Sequence, residues 1–203
     1  RGRTWGGTSS INAMIAIRGH RRDYDRWAES GLPGWSYADV LPYFKRLETN
    51  WRGAGRFHGG DGPVRIARME GGDMLWESLL ASAQAAGIPH CEDANGAEQD
   101  GISQMDATVW GGVRSSAARA YLHPVQGRPN LRIESEALAG RIVLDRGRAT
   151  AVQYRQQGRV ETARAEREII LCGGAFNSPQ LLMLSGIGPA DELRAAGVRS
   201  EEH

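Results

Sequence analysis

Lysine is almost missing from this chain: Lys45 is the single one, and arginine supplies the rest of 25 basic residues set against 24 acidic ones. The net charge of +1 gives no long-range pull toward nucleic acid or an anionic membrane. Cysteine is scarce as well. Two thiols, Cys91 and Cys172, are too few for a disulfide scaffold and too far apart for a zinc hairpin, so a reducing, cytoplasmic compartment is expected and no metal-ligand set is read. No run approaches the ~18 apolar residues that span a bilayer, and the N-terminus carries no charged-then-apolar leader; a transmembrane segment is not expected. There is no Gly-x-Ser-x-Gly elbow, which argues against a serine hydrolase. No Gly-Lys-Ser/Thr follows the glycine-rich loops, which argues against a Walker-type phosphate site. Repeats and low-complexity tracts are lacking too.

What is present is an ordinary globular composition, 40% hydrophobic and 24% charged over 203 residues, enough for one sizeable domain or two small ones with a real core. The chain opens on Arg1 without a starting Met and reaches a glycine-rich loop within a few residues. At the other end Val198 to His203 follow an apparent helix without a cap. Further sequence is expected on both sides.

Local patterns suggest the elements. Ile11 to Ile17 is apolar but does not decide between helix and strand. A short helix is expected around Asp23 to Glu29. Ser36 with Asp39 three residues on resembles a capping box, opening a helix through Glu48 that Pro42 should kink. Trp51 to Gly62 reads as a loop, followed by a strand at Pro63 to Ala67. Asp73 could cap a helix running to Ala86 and closed by Gly87. Another helix is expected from Ser115 to Leu122, before Pro124. Beyond Asn130 the texture turns to β, with short strands expected at Leu131 to Glu134, Arg141 to Leu144, Ala149 to Tyr154, Val160 to Ala165 and Glu168 to Leu171. A helix from Ser178 to Leu184 closes the pattern.

Two segments could carry chemistry. In Gly6-Gly7-Thr8-Ser9-Ser10-Ile11-Asn12 adjacent glycines permit close backbone approach, and hydroxyls with free N–H groups could cradle phosphate oxygens. A Gly/Ser turn that merely caps a helix is the plainer reading of this segment alone. The second is an apolar run, Ile169-Ile170-Leu171, leading through Cys172-Gly173-Gly174-Ala175 into a helix. Such a turn brings backbone dipoles toward a cofactor in α/β folds, although tight strand-to-helix packing would need the same small residues.

Taken together, the segments resemble a known family. GRTWGGTSSIN with IRGH is similar to the first signature of the glucose-methanol-choline oxidoreductases, and GGAFNSPQLLMLSGIG is similar to the second. Gly34-Trp35-Ser36, Tyr43-Phe44-Lys45, His58-Gly59, Gly62-Pro63-Val64 and Arg114 to Leu122 fall between them in the family's order, so the resemblance covers the whole chain.

The resemblance implies an α+β fold, with part of an FAD-binding domain of α/β type in residues 1–57 and 128–203 and the first part of a substrate domain in 58–127. It implies a flavoprotein that moves a hydride from an alcohol carbon to FAD while a base takes the hydroxyl proton, with choline-like or other small primary alcohols as substrates. Gly6, Gly7, Thr8 and Asn12 carry over as cofactor contacts, Ala139 as the position that holds adenine through a backbone group, and Gly173 and Gly174 as neighbours of the cofactor. Some members attach FAD through a histidine just before the asparagine. Ile11 stands there here, so FAD is expected to be non-covalent. None of His20, His58, His90, His123 and His203 matches a catalytic position, and His58 and His123 are read as structural. The contrasting reading is a truncated chain that serves at most as a binding or interaction domain.

Overall fold

The first two helices begin where a polar side chain satisfies one of the first free N–H groups. Helix α1 (Arg21–Glu29) starts from His20, whose Nδ1 accepts from the Arg22 N–H at 3.2 Å while Asp23 Oδ2 accepts from the His20 N–H at 3.1 Å. Helix α2 (Tyr37–Leu47) starts from Ser36, paired reciprocally with Asp39 as the spacing suggests, and continues through Pro42. Aromatic edges join the two helices at Tyr24 against Phe44, 5.7 Å, and join α1 to the turn before α2 at Trp27 against Trp35, 6.0 Å. The computed structural model describes residues 2–69 and 75–198, and the architecture is α+β.

The helix expected to run through Glu48 stops one residue earlier. Glu48 is extended because it opens strand β1 (Glu48–Asn50), which pairs in parallel with β2 (Val64–Arg68) in the register Glu48 with Val64 and Asn50 with Ile66. Helix α3 (Trp76–Ala85) follows and is closed by Gly87 at φ +79°; the proposed cap at Asp73 lies outside the described residues. Strand β3 (Asp106–Ala107) then pairs antiparallel with β2. A hairpin of β4 (Val109–Trp110) and β5 (Val113–Arg114) comes next, turning at Gly111 and Gly112, both at positive φ. Segment 11–17 is neither helix nor strand: an Ile15–Ala107 bridge and hydrogen bonds from Ala16 N–H to Asp106 O and from Thr108 N–H to Met14 O lay it beside β3. The helix expected from Ser115 begins only at Ala118, as a wide π-type turn Ala118–Leu122, because Ser115 and Ser116 are buried and Ser115 Oγ accepts from the Arg65 N–H at 2.9 Å.

The chain forms two compact units, Arg1–Leu131 and Arg132–His203. In the second, β6 (Leu138–Asp145), β7 (Arg148–Gln156) and β8 (Arg159–Arg164) form an antiparallel meander. Both turns have two central residues at positive φ, Arg146-Gly147 and Gln157-Gly158, the type I′ geometry that matches strand twist. Helix α4 (Gly174–Leu184) packs against β6, and Ser185, 1% exposed, accepts the Ile142 N–H at 2.8 Å. Helix α5 (Ala190–Ala195) adds the buried Leu193. The apolar centre of this unit is small, made from Ile142, Ala151 and Leu193.

Two expected strands are absent. Segments 131–134 and 168–171 have no ladder partner among the described residues, and Ile170 is 74% exposed. An apolar β-branched run becomes a strand only where a neighbour takes its backbone groups. Helix α4 begins four residues earlier than expected: Ser178 Oγ accepts the Gly173 N–H at 3.0 Å, and Pro179, within the second turn, removes a single N–H donor. Among the described residues no helix is long and apolar enough to cross a membrane.

Candidate functional site

The loop from Gly6 to Asn12 is built on backbone that side chains disfavour. Gly6 and Gly7 have φ of +86° and +55°, a region open to glycine at little cost. A Cβ on Gly6 would stand 2.4 Å from Ser10 Oγ and 3.1 Å from Ala118 N, so this glycine is needed for packing. Nothing lies within 4 Å of a Cβ on Gly7, so one side of the loop is open. A short 3₁₀ turn, Gly7–Ser10, follows, and Thr8, Ile11 and Asn12 are exposed.

The hydroxyls expected to cradle a ligand instead hold the loop. Ser9 Oγ donates to Gly6 O at 2.5 Å and accepts from Ala117 N–H at 2.9 Å; Ser10 Oγ donates to Trp5 O at 2.7 Å. Arg114, more than a hundred residues downstream, reaches the same loop. Its Nη1 lies 2.8 Å from both Asn12 O and Asn12 Oδ1 and 3.2 Å from Ser9 O. Arg114 belongs to a segment noted in the sequence, but its part in shaping this loop was not legible from spacing.

The same unit also buries a charged network. Glu48 Oε1 meets Arg18 Nη2 at 2.9 Å, His58 Nδ1 at 2.9 Å and the Gly59 N–H at 3.2 Å; His58 Nε2 meets Asp93 Oδ2 at 2.8 Å. Asn95 accepts the Arg18 N–H and donates to Ala16 O, each at 2.8 Å. Burial alone would lower the pKa of His58, but its hydrogen bonds to Asp93 and Glu48, and their charges, outweigh this and raise it to about 9. Burial likewise opposes ionisation of Glu48 and Asp93, yet the bond to His58, together with Arg18 for Glu48 and the charge of His58 and the Asn95 N–H for Asp93, holds both below the usual carboxylate range. His58 is therefore a protonated clasp between two carboxylates. The other described histidines are spread apart: His20 caps α1, His90 lies against Trp76 at 6.1 Å and His123 against Trp5 at 6.4 Å.

In the second unit, Gly173 precedes α4 with its N–H taken by Ser178, while Gly174, at φ +85°, has nothing within 4 Å of a Cβ position. Ala139 lies on β6, an edge strand, opposite Tyr154. The Ile142 N–H leaves the sheet for Ser185. A register shift between Ala139 and Arg141 inserts Gly140 as an extra residue. Three positions apart with one residue inserted, Ala139 and Ile142 have the same sense, so the Ala139 main-chain polar groups also point off the free edge.

In the first unit the double-glycine loop is open beside Gly7, with Thr8 and Asn12 exposed; in the second, taken by itself, Ala139 lies on an edge strand and a Cβ on Gly174 would meet nothing. Comparison with known proteins gives the family. The family model described as GMC oxidoreductase matches residues 1–199. The chain is 50% identical over 194 residues to mitochondrial choline dehydrogenase of Mus musculus, covering 96% of this chain and 33% of that protein. Among solved structures, pyridoxine 4-oxidase from Mesorbium loti superposes with a TM-score of 0.88 at 33% identity, over 96% of this chain and 39% of that one. An FAD-dependent oxidoreductase from Chaetomium thermophilum gives 0.86 at 30% identity, over 96% and 36%. The chain thus spans about a third of the length of the curated relative. Its loop, its order of motifs and its near-complete match to the family model make this chain a member of the GMC oxidoreductase family, with FAD as the cofactor the family match supports.

Proposed function

We propose that this chain is the flavin-contacting part of an enzyme that oxidises the CH–OH group of a small alcohol, choline or another primary alcohol. Bound FAD would supply the hydride acceptor. The observation that carries the reading is the Gly6–Asn12 loop, with Thr8, Ile11 and Asn12 exposed, open beside Gly7 and held by Ser9 and Arg114.

In this reading Gly6 and Gly7 set a path that lets main chain approach the cofactor, and Thr8 and Asn12 supply polar side chains. Ile11, exposed and without a nucleophilic nitrogen, stands where some members attach FAD, so FAD is held without a covalent bond. Ala139 offers main-chain groups to adenine, and Gly173 with Gly174 lets the start of α4 face a negatively charged group. Residues 1–57 and 128–203 serve the FAD domain and 58–127 the substrate domain. No catalytic residue is assigned in this stretch. Cys91, buried, and Cys172, exposed, are unpaired, in keeping with a reducing, cytoplasmic compartment.

The test is expression of the complete reading frame that contains this sequence, followed by acid precipitation and dye-coupled assays with choline and a series of primary alcohols. A yellow protein that releases its flavin into the acid supernatant and reduces the dye with one of these alcohols is expected. Flavin retained in the pellet would refute the non-covalent attachment, and an absence of turnover with every alcohol would refute the reaction.

A further inference from the structure

We infer that Arg114 is a positioning residue that sets which end of the Asn12 carboxamide faces the cofactor, so that Asn12 acts there as a hydrogen-bond donor. The inference rests on the flavin reading of Asn12 given above and deepens it.

Asn12 Oδ1 accepts twice, from Arg114 Nη1 at 2.8 Å and from the Met14 N–H at 3.1 Å. An amide oxygen has two lone pairs, so both are occupied. Rotating the carboxamide by half a turn would place its NH₂ against two groups that can only donate, a guanidinium and a backbone N–H. That orientation is closed. Asn12 Nδ2 has no protein acceptor among the described residues, and the residue is exposed. The side chain therefore offers N–H groups outward and calls for an acceptor on the ligand: a carbonyl oxygen, a ring nitrogen or a phosphate oxygen.

Both ends of this device are anchored. Met14, a non-glycine residue at φ +64°, is held by Thr108, whose N–H donates to Met14 O at 2.7 Å. Arg114 pairs with Val109 in the β4–β5 hairpin, and the next residue donates its N–H to Thr108 O at 2.8 Å. Thr108 thus fixes the backbone on either side of the Arg114–Asn12 contact. All three contacts, to Asn12 O, Asn12 Oδ1 and Ser9 O, come from the one terminal nitrogen Nη1, and a lysine at 114 would keep the charge on a shorter side chain that brings its ammonium to a different place.

The test is a double-mutant cycle on the full-length enzyme, reading the FAD dissociation constant, the visible flavin spectrum and the melting temperature of the apoprotein. Asn12→Asp keeps oxygens for Arg114 and Met14 but removes the donor. It should leave the apoprotein melting temperature near the parent value and weaken FAD about tenfold. Arg114→Lys and Arg114→Ala should each weaken FAD several-fold and shift the flavin absorption bands, and both effects should vanish when Asn12 is already Asp. If Arg114→Ala does not fold, Arg114→Lys alone completes the cycle. An Arg114 effect of equal size in both backgrounds would mean a general structural role and overturn the inference, as would parent-like FAD affinity in Asn12→Asp. A parent enzyme that binds no FAD would instead overturn the functional reading, and this inference with it.

Discussion

The unit Arg132–His203 is held around a small apolar centre, whereas Arg1–Leu131 is tied by buried charges that reach across the chain. In the former, Ile142, Ala151 and Leu193 are nearly inaccessible and most pairing is between consecutive strands. In the latter, Glu48, His58 and Arg18 have almost fully buried side chains, and Glu48 binds His58 across a gap of 10 residues and Arg18 across 30, with Asp93 35 residues beyond His58. The difference is instructive. A hairpin meander needs little beyond good turns and a few apolar side chains. A region of short strands and long loops has few ladder bonds, so side-chain hydrogen bonds carry its connectivity, and each is strong only while its partners remain.

The largest effect should come from Glu48→Ala, which leaves Arg18 and His58 buried without their shared counter-charge. A loss of about 3–5 kcal/mol is expected for removing one partner of a buried ion pair, measured by denaturant unfolding of the full-length protein. A loss well under 1 kcal/mol would show that the network contributes little and that the two units are held in similar ways.

A smaller loss of the same kind should follow pH. His58 is raised from 6.5 to about 9, so its contribution is fully present below pH 6.5 and is lost as pH rises through about 9. Glu48 and Asp93 are shifted the other way, so theirs is present above their ordinary values of 4.5 and 3.8 and is lost as pH falls through the lowered ones. The clasp should thus be at full strength between about pH 4.5 and 6.5. Melting temperatures across the alkaline range should decline in the parent and decline less in His58→Gln; parallel curves would contradict the protonated clasp.

For the second unit, Ser185→Ala should cost about 1–3 kcal/mol, because it strands the Ile142 N–H in a buried site. Hydrogen exchange at Ile142 would report this directly, and unchanged protection would mean that the N–H has found another partner. The mildest change should be Gly147→Ala, about 1–2 kcal/mol, since its positive φ disfavours a side chain although the space around it is open. An equal loss from Gly59→Ala would be surprising: a Cβ there would stand 1.8 Å from Lys45 O, so the backbone must move.

Much of the local structure was legible because it depends on neighbours in sequence. The Ser36–Asp39 cap and the positive-φ glycine after α3 stand as the spacing suggested, and three strands after Asn130 fall where they were expected, two of them longer and the third shifted by one residue. The failures share one cause. Segments 131–134 and 168–171 have strand-like composition but no partner among the described residues, and Glu48 left its helix because Val64 was available to pair. Ser115 and Ser116 look like helix-start residues, yet Ser115 is used by Arg65, from another strand.

The candidate site divides in the same way. Two adjacent glycines followed by hydroxyls and an asparagine were enough to mark a loop able to approach a ligand, since backbone freedom at glycine is a property of the residue itself. Which groups would face that ligand was another matter. Ser9 turned inward to Gly6 and Ala117, and Asn12 had its oxygen claimed by Arg114 and Met14. Hydrogen-bond partners drawn from a hundred residues away depend on how the chain returns on itself, and only folding brings them within reach.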